Sequence, residues 1–391
     1  MKISALYVIM YLISFLAGGK NMRFLHTADL HLDSSFCKLG VLDAEAQRER
    51  QRELLERIFD CAEKNECDMM LIAGDLFDTP VVTHATQKLC LELFERFGKP
   101  IFISPGNHDA FIAGGFYKSA ALSQNVYVFN SDELQYIDLP ELDVTVAGYA
   151  FMSQGLAKDP LDTPLRPEGE NQRILLLCAH TEIDTPTSRY APIMLSDIAR
   201  HGFDYAALGH VHNPPHISDT VRYCGFPEGR AFDEQGEGGV YIVDIDGENN
   251  VNATRKITSK IRFERVKIDA DGISSSDELI KLCKAEALKY DQFTNLRIEL
   301  CGVVTADGFD VSAAQELCSP SLASLQIKDE TISIPDIAFL ERDASLKGEF
   351  YRVIRPRLHS DDAAERAGAL RALRIGLAAI EGKSFTDGGR S

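Results

Sequence analysis

The sequence predicts a layered α/β protein, with one large α/β domain, a smaller α/β unit after it and a helical tail. Three observations carry this. Short, almost wholly apolar runs alternate with segments of helical spacing, and strands that apolar need cover on both faces. The chain has 391 residues, more than one core usually accommodates, so at least one further module is expected. Its 45% hydrophobic and 26% charged composition excludes disordered and fibrous chains.

The large domain is read over residues 22–250. Arg23 to Ala28 is its first strand, Leu54, Leu55, Ile58, Phe59 and Ala62 follow at helical spacing, and Met69 to Ala73 is a second buried strand. Leu89, Leu93, Phe94 and Phe97 mark another helix. Further strands are read at Ile101 to Ser104, Val126 to Phe129, Val144 to Gly148, Ile174 to Ala179, Tyr205 to Leu208 and Val240 to Val243. The polar, turn-rich stretch Gly247 to Thr254 is read as a linker.

Residues 258–340 read as the smaller α/β unit. Strands at Ile261 to Ile268 and Leu296 to Leu300 flank a helix from Ser276 to Tyr290, and Leu325 to Ile327 with Thr331 to Ile334 suggest a hairpin around Lys328 to Glu330. Residues 341–391 form the helical tail, where Leu370, Leu373, Leu377 and Ile380 make one apolar stripe beside Arg366, Arg371 and Arg374. The stripe either docks on its own domain or binds a partner helix, and periodicity does not separate the two.

Residues 1–21 stand apart. Ile3 to Ala17 is almost wholly apolar, the size of a signal-peptide core and short for a membrane span, so no membrane association is expected. Because Met22 directly precedes the first strand, the segment is read as a start-site artefact or a leader. The nine cysteines are odd in number and scattered, with no C-x-x-C pair, which fits a reducing cytoplasm. Forty-one basic against 59 acidic residues leave a net charge of −18, so any polyanionic substrate needs local cations from side chains, metal ions or a basic partner.

Five polar clusters each follow an expected strand: Asp29-Leu30-His31, Gly74-Asp75-Leu76-Phe77-Asp78, Gly106-Asn107-His108-Asp109, Ala179-His180 and Gly209-His210-Val211-His212. Ligands bind outside the carboxyl ends of strands in open α/β sheets, so clusters far apart in sequence can converge there. Carboxylate, imidazole and amide oxygen make a mixed donor set suited to manganese, iron or zinc. The absence of cysteine argues against a structural thiolate zinc site.

In this order the motifs D-x-H, G-D-x-x-D, G-N-H-D, a lone H and G-H-x-H resemble the calcineurin-like metallophosphoesterase superfamily. The runs Arg23 to Asp33 and Ala73 to Thr79 are more narrowly similar to its DNA-repair nuclease branch, the bacterial SbcD-like and YhaO-like exonucleases. The resemblance implies a sandwich of two mixed sheets flanked by helices, with the smaller unit as a cap. It implies two divalent cations, manganese foremost with iron or zinc as alternatives. Asp29, His31, Asp75 and His212 would hold one, and Asp75, Asn107, His180 and His210 the other, with Asp75 bridging. Two such cations about 3.5 to 4 Å apart clamp a phosphoryl group and activate water, and their +4 against the −2 of Asp29 and Asp75 leaves a local attraction for phosphate.

The resemblance leaves His108 off the metals, as the group that protonates the leaving oxygen or stabilises charge on the phosphoryl group, with Asp109 holding its tautomer. Asp78 would orient a ligand without binding metal itself. The implied function is a two-metal phosphodiesterase on DNA, an exonuclease of repair or recombination, whose tail binds an SbcC-like coiled-coil ATPase; homodimerisation is left open. The alternatives are a phosphoesterase for small nucleotides or phosphorylated substrates and a metal-stabilised scaffold without activity.

Among the other histidines, His26 is read as a satisfied core residue, His84, His201 and His359 as surface or helix-end positions, and His216 as a residue of the cleft rim. Arg255, Lys256, Lys260, Arg262, Arg265 and Lys267, offset by Glu264, give +5 over thirteen residues. They are candidate DNA contacts or simply a solvated face.

Overall fold

Alternation of two apolar faces along each strand dictates layers, and the computed structural model has them. It describes residues 21–35, 41–166, 172–304, 310–333 and 337–380. Ile3 to Ala17, Cys37, Ile334 and the side chains of Leu370 and Arg374 lie outside the described residues. The chain divides into two units. One runs to Arg230 and resumes over Gly236–Lys260, and the other takes Ala231–Gln235 and the chain from Ile261 onward.

The first unit contains, in order, β1 (Met22–Thr27), α1 (Val41–Lys64), β2 (Met69–Ile72), α2 (His84–Phe97), β3 (Ile101–Ile103), α3 (Phe116–Ser119), β4 (Val126–Val128), β5 (Gln135–Leu139), β6 (Val144–Gly148), β7 (Ile174–His180), α4 (Leu195–His201), β8 (Tyr205–Gly209), β9 (Val221–Tyr223), β10 (Gly239–Ile245) and β11 (Val251–Ile257). Six strands form a mixed sheet in the order β11-β10-β1-β2-β3-β4, and five form a second in the order β5-β6-β7-β8-β9. Alternate residues explain the stacking. Phe24, Leu71 and Phe102 of the first sheet meet Val146, Leu176, Cys178 and Tyr205 of the second in one core. Their neighbours Leu25, Met70 and Ile72 face outward onto Leu54, Leu55, Ile58 and Phe59 of α1 and Leu93 and Phe94 of α2. Ala147, Leu177, Ala206 and Leu208 cover the outer face of the second sheet together with Ile198 of α4. Both sheets mix parallel and antiparallel pairs. The layered two-sheet sandwich is therefore as expected.

Local signals set the helix ends. The Thr83 side chain accepts from the Thr86 N–H to start α2, and Gly98 closes it in the left-handed region at φ 62°.

The linker expected at Gly247 to Thr254 is instead a turn followed by a strand. Asp246 accepts N–H groups from Glu248 and Asn250, which reverses the chain into β11, antiparallel to β10. The first unit thus continues to Lys260 rather than ending near residue 250. Half-exposed β5, β9 and β11 carry too little apolar signal to stand out in the sequence.

The second unit holds β12 (Arg262–Asp269), α5 (Ser276–Ala287), β13 (Thr294–Cys301), β14 (Val303–Val304), α6 (Val311–Cys318), β15 (Ser324–Asp329), β16 (Ile332–Ser333), α7 (Ile337–Arg342), α8 (Leu346–Leu358) and α9 (Ala363–Ile380). Strands β12, β13 and β15 form a parallel sheet packed on α5 and α6. The hairpin expected around Lys328 to Glu330 is not formed: β15 pairs with β13 and β16 pairs with β14, each in parallel. The tail stripe docks on its own unit, with Leu373 and Leu377 buried against Tyr351 and Ile354 of α8. The described cysteines are free, and among the described residues no helix is long and apolar enough to cross a membrane.

Candidate metal centre

The five motif clusters occupy the carboxyl ends of β1, β2, β3, β7 and β8, so both sheets feed one edge of the sandwich. Asp29, His31, Asp75 and His210 have φ of 56°, 47°, 47° and 104°, a left-handed region that non-glycine residues rarely occupy. Such strain persists where surrounding bonds fix it, and it concentrates at functional sites. Here the bonds continue the β1–β2 ladder past its end, from Asp29 N to Gly74 O at 3.1 Å, His31 N to Asp75 O at 2.9 Å and Leu32 N to Leu76 O at 2.9 Å. Gly106 is required for a different reason. A Cβ there would overlap Asp75 Oδ1 and lie 2.9 Å from the His180 ring.

The donors fall into two sets. In the first, His31 Nε2 lies 3.2 Å from His212 Nε2 and 3.6 Å from Asp75 Oδ2, and His212 Nε2 lies 3.7 Å from Asp29 Oδ1. In the second, His180 Nε2 lies 3.3 Å from Asp75 Oδ2, 3.0 Å from Asn107 Oδ1 and 3.3 Å from His210 Nδ1. Donors sharing one cation at about 2.1 Å, at angles of about 90–110°, stand about 3.0–3.4 Å apart, so both sets are close to the spacing a divalent ion requires. The same oxygen, Asp75 Oδ2, belongs to both. Its partner Oδ1 accepts the His108 N–H at 3.0 Å, which fixes the carboxylate's orientation.

The unused histidine nitrogens are also held. His31 Nδ1 is 3.2 Å from Asp78 Oδ1, and His180 Nδ1 is 3.0 Å from Ala73 O, so both rings present Nε2 to the cluster. Metal-ligating histidines are oriented in this way.

Burial makes the centre demand positive charge. It pushes Asp29 up and His31 down from their ordinary values. Burial alone would also lower His180, but the carboxylates of Asp75 and Asp29 outweigh it and raise that histidine to about 9. Desolvation and the neighbouring His180 hold His210 down at about 3. Asp75, although buried, is kept below the usual carboxylate range by His180 and His31. Carboxylates this dry recruit either protons or cations, and the clustered imidazoles suit cations.

Residues 22–214 match the family model for calcineurin-like phosphoesterases. This region is a calcineurin-like phosphoesterase domain. Over 289 residues, 71% of this chain and 69% of the relative, the sequence is 25% identical to the uncharacterized metallophosphoesterase YhaO of Bacillus subtilis. Over 304 residues, 70% of this chain and 79% of the relative, it is 24% identical to the SbcD component of the SbcCD nuclease of Staphylococcus epidermidis. This domain is a hydrolase of the metallophosphoesterase family, whose members bind divalent metals.

Within this phosphoesterase domain, the expectation for Asp109 needs correction. Its carboxylate is fully buried and accepts from Gly106 N at 2.7 Å, Phe77 N at 3.3 Å and Tyr117 OH at 2.6 Å, with no bond to the His108 ring. It ties the metal loops together from behind. Burial, followed by repulsion from Asp75, raises it to about 6. The group beside His108 is Asp78. Its carbonyl and its Oδ1 lie 3.2 and 3.6 Å from His108 Nδ1, while the same Oδ1 orients His31. The His108 ring is half-exposed and packs edge-on against His31, with centroids 4.7 Å apart.

Sequence reasoning missed Arg230. Its Nη2 lies 3.4 Å from His212 Nδ1 and its Nη1 3.9 Å from Asp78 Oδ1, which brings a guanidinium to the centre from a loop with no recognisable motif. A strand-end pattern search cannot find such a residue. The basic run is less bare than its sequence suggests. Lys260 pairs with Glu53 at 2.8 Å, Arg262 with Asp291 at 2.9 Å and Arg265 with Glu299 at 2.7 Å, and Arg255 donates to the Glu237 carbonyl. Among the remaining histidines, His26 is buried, with Nδ1 3.0 Å from Tyr205 OH and Nε2 3.2 Å from Leu208 O. His84 begins α2, His201 ends α4 in a buried position, His359 caps α8 and His216 is exposed.

Proposed function

We propose that this chain is a two-cation phosphodiesterase that hydrolyses DNA, an exonuclease of repair or recombination that works with manganese. The observation that carries the reading is the pair of donor sets joined at Asp75 Oδ2, with the exposed His108 beside them. Asp29, His31, Asp75 and His212 hold one cation, and Asp75, Asn107, His180 and His210 the other. Oxygen and nitrogen donors without thiolate favour manganese, with iron or zinc as the other candidates. When bound, the cations neutralise phosphoryl charge and supply a nucleophilic water at neutral pH.

The protein's own groups do the remaining work. His108 gives its proton to the departing sugar oxygen, and Asp78 keeps the imidazole aimed by holding Nδ1. A His212 ring that gives Nε2 to a cation carries its proton on Nδ1. Arg230 offers only donors, so its guanidinium then turns to an acceptor, the phosphate oxygen.

The relative named as the SbcD component of the SbcCD nuclease supports DNA as substrate and a coiled-coil ATPase of the SbcC kind as partner. Leu346 and Val353 of α8 and Ile375 of α9 remain exposed after these two helices have packed together, and we assign that face to the partner. The free thiols suit a cytoplasmic setting. The net charge of −18 favours a second reading, hydrolysis of small nucleotides.

Linear duplex DNA, a panel of mononucleotides and an aryl phosphodiester, each incubated with the protein and manganese, separate the two. Nucleotide release from DNA is expected. His108→Ala should keep both metals and lose about 10²- to 10⁴-fold in turnover, whereas Asp75→Ala should lose the metals, as read by elemental analysis. A wild-type rate in His108→Ala would overturn its role, and cleavage of mononucleotides alone would overturn the nuclease.

A further inference from the structure

The loops that carry the metal ligands continue directly into a second feature of the first unit. Asp78 leads to Pro80 and Val81, and Asn107 leads to Ala110 and Ile112. Phe151 bonds both sides of the second loop, through its N–H to Pro105 O at 3.0 Å and its carbonyl to Phe111 N at 2.7 Å. The segment after it is tied to residues 189–191 by Leu156 N to Arg189 O at 2.8 Å and Ala191 N to Leu156 O at 2.7 Å. Together these segments border an open cavity of about 710 Å³, lined by Pro80, Ala110, Ile112, Met152, Leu156 and Arg189 among others.

Three properties of this cavity point to one class of ligand. Its walls are apolar where water would ordinarily reach them. Among the described residues of the first unit six large apolar side chains are exposed; Ile112 and Met152 line the cavity, and Val81 and Tyr190 are chain neighbours of lining residues. Clustered exposure of this kind marks a binding surface. Its cation is uncommitted: the exposed Arg189 side chain makes no hydrogen bond, ion pair or ring contact among the described residues, in a chain of net charge −18 where Arg48, Arg52, Arg96 and Arg222 are all bonded to carboxylates. Finally, Tyr190 lies with its ring centroid 4.6 Å from that of His210, so the cavity's edge meets the metal centre through one ring.

From these we infer a nucleoside subsite beside the metal centre: the apolar walls take the base flanking the scissile phosphate, and Arg189 takes the next phosphate along the backbone. The inference rests on the phosphodiesterase reading above. The cavity is larger than a phosphate requires and lies in the size range of small-ligand sites. An apolar face with one neighbouring anion is what a nucleotide unit presents, since every base has a face that stacks on apolar and aromatic groups.

The test is calorimetric binding to the full-length, metal-free protein, with dAMP, deoxyribose 5-phosphate and phosphotyrosine as probes. The expected result is dAMP binding about tenfold more tightly than the base-free sugar phosphate, with Arg189→Gln and Met152→Glu each weakening dAMP by about fivefold or more. Both positions are exposed and lie on different segments, so the two variants check one another. Equal binding of dAMP and deoxyribose 5-phosphate, phosphotyrosine binding as tightly as dAMP, or no change in either variant would overturn the subsite. An oligonucleotide and its abasic counterpart, digested in manganese, keep the two readings apart. Cleavage of both at equal kcat/KM overturns the subsite and leaves the nuclease standing; cleavage of neither overturns the nuclease and the subsite with it.

Discussion

Gly106 has no room for a side chain, because Asp75 and His180 approach its backbone from one side. Gly106→Ala should therefore push the Asp75 carboxylate out of register, and we expect metal affinity to fall by at least about tenfold while the far-ultraviolet dichroism stays unchanged. Unaltered metal uptake in that variant would show that the loop can yield. His26 supports a prediction about pH. Burial holds it down at about 3, and Tyr205 and Leu208 satisfy it as the neutral ring. Its unfolded value is about 6.5, so only the unfolded chain takes up a proton as pH falls below that point. The stability it contributes is complete above pH 6.5 and erodes toward pH 3. Between pH 7 and 5, wild type should lose about 2 kcal/mol more than His26→Phe in denaturant melts, and parallel losses would refute the assignment. At this scale the sequence discloses the residues that donate to the centre, because each lies within four positions of a glycine or a strand end. It hides the supporting contacts. Asp109 is adjacent to His108 in the sequence and Asp78 lies thirty residues before it, yet Asp109 faces inward to Tyr117 while Asp78 meets the imidazole.

Elements with full burial were legible, and several half-exposed ones were not. Strands β6 and β7 are buried at every position and stand out as apolar runs, whereas β11 shows a mixed pattern at the edge of its sheet, where the polar residues Asn252 and Thr254 face solvent. Strand partners are a harder matter. Two short apolar runs separated by Lys328-Asp329-Glu330 satisfy the local rule for a hairpin, yet β15 finds its partner in β13, about thirty residues away, because α6 carries the chain across in a parallel connection. The tail stripe is settled in the same manner. Leu373 is fully buried on Tyr351 and Ile354, so it belongs to the joint between α8 and α9. Leu373→Ala should destabilise that pair of helices by about 2–5 kcal/mol. Hydrogen exchange should then rise across α8 and α9 and stay unchanged in β6 and β7, while uniform acceleration throughout the chain would mean that the hairpin is not a separate cooperative element.

For the whole molecule, the decisive quantity is charge. A chain at −18 repels DNA at long range, and the basic run that could have offset this gives Lys260, Arg262 and Arg265 to neighbouring carboxylates. If attraction resides in the metal centre with Arg230 and Arg189, only about two phosphates are neutralised by the protein's own cations. The affinity for DNA then falls with salt to roughly the 1.8 power, so raising salt from 50 to 200 mM should lower kcat/KM by about tenfold. A surface built around six basic contacts would lose about a thousandfold over the same interval. A steep dependence for the isolated chain would return the Arg255 to Lys267 run to the interface, and a shallow one that steepens when the proposed SbcC-like ATPase is added would place the basic surface on that protein.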